Sequence, residues 1–124
     1  MNPNINKNNS WKFISGFKHA LCGIKVAFWE EANLRIHLLA VFIVVLFSIV
    51  TGLDLLEWCI VILCMAFVIT AELFNTAIEK LADVVTREYD PHIKVVKDIA
   101  AGAVLIASMV SAIIGVIVFL PKIW

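Results

Sequence analysis

The sequence predicts an all-α integral membrane protein, with three transmembrane helices preceded by an amphipathic helix in the membrane interface. Three observations predict it. Of the 124 residues, 62% are hydrophobic and 16% charged, and the mean hydropathy of +0.97 lies well above that of soluble domains. Three apolar stretches are long enough to cross ~30 Å of hydrocarbon, which takes about 20 helical residues. Ahead of them Ile14, Phe17, Leu21, Ile24 and Phe28 recur every three or four positions, which is one face of a helix.

Residues 1–10 are polar and lack the charged-then-apolar plan of a secretory signal, so a flexible N-terminus with nothing cleaved is expected. Over 11–29 the apolar stripe excludes Lys18 and Lys25, and so basic a segment should lie in the interface. The alternative is a lead-in packed on its own bundle. The first span is read over 34–53, where residues 38–50 are apolar apart from Ser48. A second helix over 55–85 is uncharged across 58–71 and then turns polar with no Gly or Pro to stop it, so it should run on beyond the membrane. The third span, 99–120, carries no charge and is expected to end at Pro121 and Lys122. Trp11, Trp29, Trp58 and Trp124 all fall at interface depths.

Cations set the expected orientation, because Lys and Arg in short loops resist translocation. Lys7, Lys12, Lys18, Lys25 and Arg35 precede or open the first span, and Lys80, Arg87, Lys94 and Lys97 lie between the second and third. The turn over 51–57 has only Asp54 and Glu57, and the tail only Lys122. The N-terminus and the second loop should therefore be cytoplasmic, in a multi-pass protein of the cytoplasmic (inner) membrane. Ten Lys+Arg against ten Asp+Glu leave no net charge, which removes the main drive for nucleic-acid binding. Cys22, Cys59 and Cys64 show no C-x-x-C spacing and read as small hydrophobes.

The second helix carries a stripe that lipid would not tolerate. Glu72, Asn75, Thr76, Glu79 and Asp83 are spaced three, one, three and four apart, so all project from one face. A carboxylate near hydrocarbon costs at least about 2.5 kcal/mol, so the row should face a protein cleft, a cation or water. Alternatively, Glu79 and Asp83 are solvated helix ends pairing with Lys80 or Lys97, which leaves Glu72 and Asn75 unexplained. Glu30 and Glu31 before the first span, and Lys97-Asp98 before the third, fall at the same depth. Converging carboxylates suit a hard divalent cation, and Mg²⁺ typically takes one or two of them plus phosphate oxygens. A lysine adds charge for the phosphates. Metal, lysine and a spare carboxylate are the equipment of phosphoryl transfer. No P-loop, G-x-G-x-x-G or H-R-D motif is present.

The strings Glu72-Leu73-Phe74-Asn75-Thr76-Ala77-Ile78-Glu79, then Asp83, then Lys97-Asp98-Ile99-Ala100-Ala101-Gly102-Ala103-Val104 closely resemble the prokaryotic diacylglycerol kinase family, which includes undecaprenol kinases. The resemblance runs from the interfacial helix through Glu31-Ala32-Asn33-Leu34-Arg35 to the third span. It implies an ATP- and Mg²⁺-dependent homotrimeric kinase with three transmembrane helices and one surface helix per subunit, acting on a membrane lipid alcohol. By position it implies Glu72 as the general base, Glu31 and Glu79 as Mg²⁺ ligands, and Asn75 as the residue orienting this catalytic constellation, with Asp83 in support. It also implies nucleotide contacts from Glu31, Glu79, Lys97, Asp98 and the Glu88-Tyr89-Asp90 turn, and from Lys12 and His19. Lys12 stands where some relatives have arginine, keeping charge without bidentate phosphate binding. His19 stands where some have tyrosine.

Chemistry agrees for Glu72, the most deeply placed carboxylate of the stripe, suited to taking a proton from a hydroxyl at the apolar boundary. Ala100, Ala101, Gly102 and Ala103 should let the third helix approach the second closely. His37 and His92 read as a polar bundle contact and a surface loop residue. The rival functions are a small oligomeric transporter or ion pathway, since intramembrane carboxylates also mark relays, and an assembly subunit binding a partner helix. A transporter would want its carboxylates near mid-bilayer; here they cluster at one end. The run 33–37 looks more like the undecaprenol-kinase branch.

Overall fold

A computed structural model describes residues 4–124, with side chains from Asn9 onward. The flexible terminus expected over 1–10 and the cation at Lys7 thus fall partly or wholly outside the described residues. The chain is all-helical among the described residues: α1 (Asn4–Glu30), α2 (Ala32–Thr51), α3 (Leu55–Val85) and α4 (Pro91–Ile123). The last three are long and apolar enough to cross a membrane, as the sequence predicts. The closest pairing is α3 with α4, α2 lies against α3, and α1 touches α2 and α3 more lightly.

Each boundary has a local cause. The α1–α2 corner is a single residue, Glu31, in extended conformation (φ −109°, ψ 112°). Arg35 holds the corner by donating through Nη1 to the carbonyls of Phe28 and Trp29, 2.9 Å each, the orphan acceptors of the last α1 turn. Leu34, 1% exposed, plugs it from below. Gly52 (φ +68°) ends α2 in the left-handed region that only glycine enters freely, donating to Ser48 O at 3.1 Å. Asp54 and Glu57 then form a capping box that starts α3: Glu57 N donates to Asp54 Oδ1 and Asp54 N to Glu57 Oε2, both at 2.8 Å.

The helix α4 is longer than the span read over 99–120. Asp90 caps it, its Oδ1 accepting from His92 N and Ile93 N at 2.8 and 3.2 Å, and Pro91 occupies the first turn, where a missing N–H costs nothing. His92 therefore belongs to a helix start, not a loop. At the other end Pro121 lies inside α4, which runs on to Ile123 with Trp124 N donating to Leu120 O at 3.1 Å. The helix ends so soon after it that its ring disturbs little.

Leu53, Val61 and Val118 form the buried core, with Val44, Trp58 and Phe119 packed around it. The rings of Phe47 and Phe119 meet at 5.0 Å, tilted by 52°. Most large side chains on the spans, such as Phe42, Leu63, Phe67 and Ile117, face outward, as a lipid-facing surface should. Of the four tryptophans, Trp11, Trp29 and Trp124 are exposed and Trp58 packs on the core. Among the small residues of α4, Ala100 and Ala107 are buried, whereas Ala101 and Ala103 face outward, so close packing falls to positions seven apart on one face.

Candidate active site

The polar stripe of α3 turns inward at the end of the bundle where α1 meets α2. Its deepest members are buried: Glu72 is 2% exposed, Asn75 6% and Thr76 4%. Glu79 is half-buried, and Asp83 is exposed. One turn into α2, His37 faces the stripe, its Nε2 3.9 Å from Glu72 Oε2. Glu31 and Glu79 are the other charges close enough to act on Glu72 electrostatically. Asn75 bridges the stripe by donating from Nδ2 to Glu79 Oε1 at 3.3 Å. Its Oδ1 and the hydroxyl of Thr76 are buried and have no hydrogen-bond partner among the described residues. Buried polar atoms are nearly always paired in folded proteins, so this pair sets the site apart from its surroundings.

Around this centre the charges interlock. Lys97 Nζ donates to Asp83 Oδ1 at 2.6 Å, tying α4 to α3. Lys80 donates to Glu30, tying α3 to the end of α1. Lys94 pairs with Asp98 at 2.5 Å along one face of α4. The pairing of Asp83 with Lys97 is the one a purely structural reading of the stripe foresees, while Glu72 and Asn75 stay outside any such pairing. Glu88 and Tyr89 are exposed in the turn between α3 and α4, where Glu88 N donates to Thr86 Oγ1 at 3.1 Å. Asp90, beside them, has its carboxylate occupied as the α4 cap.

The structure thus gathers Glu31, Glu72, Asn75 and Glu79 at one point, and Asp83 with Lys97 at its rim. It does not bring Lys12 and His19 there: both are exposed on α1, and helical rise alone separates Lys12 from Glu31 by about 28 Å. His37, read from the sequence as a polar bundle contact, is one, and the partner the sequence did not name is Glu72. Its signal was present, an ionisable group at the head of an apolar run, but its partner becomes visible only once α2 and α3 are laid antiparallel.

A divalent ion fits the donor set in kind. Glu31 and Glu79 offer hard oxygens, and Asn75 has a spare one. No group of three or more His, Cys, Asp or Glu is arranged to cage a metal among the described residues.

Comparison with known proteins identifies the family. A family model described as prokaryotic diacylglycerol kinase matches residues 18–119. The undecaprenol kinase of Bacillus subtilis (strain 168) is 36% identical over 122 residues, covering 98% of this chain and 99% of its own length. A diacylglycerol kinase of Synechocystis sp. is 32% identical over 120 residues, 93% of this chain and 69% of that protein. A diacylglycerol kinase of Helicobacter pylori (strain J99) is 42% identical over 85 residues, 68% and 66% of the two chains.

Proposed function

On the premise that this chain belongs to the prokaryotic diacylglycerol kinase family and is a lipid kinase, we propose that it moves the γ-phosphoryl group of ATP, with Mg²⁺, to the hydroxyl of a membrane lipid alcohol. The acceptor is undecaprenol or a diacylglycerol, and the reaction runs at the cytoplasmic face. The observation that carries this reading is the buried Glu72, 2% exposed, at the point where the polar stripe of α3 gives way to its apolar half.

A lipid hydroxyl arriving from the membrane meets that carboxylate first. Its oxygen forms the new bond to the γ-phosphorus while the bond to the ADP oxygen breaks and its electron pair leaves with ADP. Glu72 takes the hydroxyl proton. Burial keeps water, the competing acceptor, away from the reacting phosphate. Asn75 fixes Glu79 through its amide and keeps an oxygen free. Glu31 and Glu79 would hold Mg²⁺, which when bound neutralises charge on the phosphates. Lys97 and Asp98 at the start of the third span, with Glu88 and Tyr89 in the turn before it, face the nucleotide, and Asp90 keeps that turn in shape. Asp83 holds Lys97 ready for the phosphates.

Nine of the ten cations lie in α1, at the head of α2, or in the adjoining ends of α3 and α4 and the turn between them, which supports a cytoplasmic site within reach of ATP. Lys12 is too far along α1 to serve its own chain's site, and His19 is exposed on the same helix. A homotrimer, in which they reach a neighbouring subunit's nucleotide and the outward apolar faces of the spans are partly covered, accounts for both. A transporter would need polar groups through the whole bundle, yet beyond Glu72 the same face of α3 presents Val68, Met65 and Val61.

The test is transfer from radiolabelled ATP to undecaprenol and to dioleoylglycerol, side by side, by the purified protein in detergent with and without Mg²⁺. Mg²⁺-dependent labelling of a lipid is expected. Labelling of neither lipid by the folded protein would overturn the proposal.

A further inference from the structure

His37 is the side chain that α2 sets against Glu72, with Nε2 3.9 Å from Glu72 Oε2. That is beyond the roughly 3.2 Å reach of a direct N–H···O hydrogen bond. It is, however, a separation that a single intervening oxygen bridges. An oxygen about 2.8 Å from both atoms subtends about 90° between them, which a hydroxyl meets by donating along its O–H and accepting on a lone pair.

The other donors of this region are turned elsewhere. Asn75 donates to Glu79, Arg35 to the carbonyls of Phe28 and Trp29, Lys80 to Glu30 and Lys97 to Asp83. The Thr76 hydroxyl has no partner among the described residues, but it stands one turn beyond Glu72, on the side of Glu79 and the loop. His37 stands on the apolar side. With Val68 and Ser108 it closes the polar end of a groove between α2, α3 and α4 that is otherwise walled almost wholly by hydrocarbon. An alcohol coming from the membrane side therefore meets one acceptor, Glu72, and one ring nitrogen, His37, at the spacing its hydroxyl spans.

We infer that His37 and Glu72 clamp the acceptor hydroxyl between them: His37 Nε2–H donates to the hydroxyl oxygen, whose own proton is held on Glu72 Oε2. The inference rests on the lipid-kinase reading and adds a second side chain at the reacting oxygen. A carboxylate alone holds an alcohol by one hydrogen bond, about which the oxygen still swings. The second bond stops the swing and leaves a lone pair aimed at the γ-phosphorus. During transfer the hydroxyl proton passes to Glu72 as the new P–O bond forms and the bond to ADP breaks. The His37 proton stays on Nε2 throughout, so a neutral donor suffices. A fixed cation in its place would pair with Glu72 and draw charge from the attacking oxygen.

Two substitutions separate a neutral donor from charge and from bulk. His37→Gln brings an amide N–H to the reach of Nε2 and cannot become a cation, while His37→Leu fills the place with no donor. With undecaprenol or dioleoylglycerol, whichever the wild type phosphorylates, kcat/KM for the lipid should fall about tenfold or more in His37→Leu and stay within about threefold of wild type in His37→Gln. KM for ATP and Tm in detergent should hold in both. Ser108→Ala, the other polar side chain at that end of the groove, should leave kcat/KM unchanged. Independently of turnover, in [¹⁵N]histidine-labelled protein without nucleotide, the Nε2 resonance assigned to His37 by its loss in His37→Gln should shift on adding either alcohol. The deoxy analogue, with hydrogen in place of the hydroxyl, should not move it. Full activity in His37→Leu, equal losses in His37→Gln and His37→Leu, a loss in Ser108→Ala as large as in His37→Leu, or the same resonance shift with the deoxy analogue would each overturn the inference. A shift specific to the alcohol with no phosphorylation of either lipid would instead leave the clamp standing and remove the kinase reading.

Discussion

Glu57 and Glu72 sit about four turns apart on α3, and their surroundings differ. Glu57 receives the backbone N–H of Asp54 at 2.8 Å and the Lys122 ammonium at 2.8 Å, so both its roles are local: it closes a capping box and ties the end of α4 to the start of α3. Nearby Ser48 and Thr51 bond back to the carbonyls of Val44 and Phe47 at 2.7 and 2.8 Å. Glu72 has only His37, at 3.9 Å, and two neighbours, Asn75 and Thr76, with buried oxygens unanswered among the described residues. An end of the bundle that answers its own polar groups maintains the fold. The end that leaves them open is where we place the ligand, and ion pairs at its rim tie α3 to α1 and to α4.

This contrast predicts opposite consequences for changes at the two ends. The largest belongs to Glu72→Gln, which preserves shape and deletes the base: turnover of a lipid alcohol should fall by about 10²–10⁴, with no loss of thermal stability in detergent. Near-normal turnover would show that another group takes the proton. Next comes Lys97→Ala. Releasing Asp83 and removing a phosphate partner should raise KM for ATP about tenfold, the scale of 1–2 kcal/mol expected for a charge-assisted contact, while KM for the lipid stays put. The smallest change is at the other end, where Asp54→Ala should cost about 1 kcal/mol through loss of the cap, seen as a lower Tm in detergent, with specific activity of the folded protein unaltered. Loss of chemistry there would break the contrast.

How far the sequence reaches can be judged at particular residues. Hydropathy suffices for the three spans, because twenty apolar residues have few other uses. The α4 start was also written in the chain, as Asp90-Pro91, a cap residue followed by a proline in the first turn, yet its neighbours Glu88 and Tyr89 make the segment read as turn throughout. On the stripe, the 3.6-residue period alone puts Glu72, Asn75 and Glu79 together. The period is blind to partners on other helices. Thus Arg35 reads as one more cation, though the fold uses it to cap α1, and Lys80 gives no hint that it meets Glu30, fifty residues away. The groove is further out of reach, since its walls come from three helices and only their antiparallel packing assembles them.

The account divides the carboxylates of the site between two tasks, a base at Glu72 and ligands for the nucleotide and its ion at Glu79 of the same stripe and Glu31 at the α1–α2 corner. The most direct test is equilibrium binding of a non-hydrolysable ATP analogue with Mg²⁺ to wild type, Glu72→Gln and Glu79→Gln, each in the same detergent. Glu72→Gln should bind like the wild type, and Glu79→Gln should bind at least about tenfold more weakly, the loss seen when even indirect metal partners are removed. Equal weakening in both variants, or none in Glu79→Gln, would contradict the division.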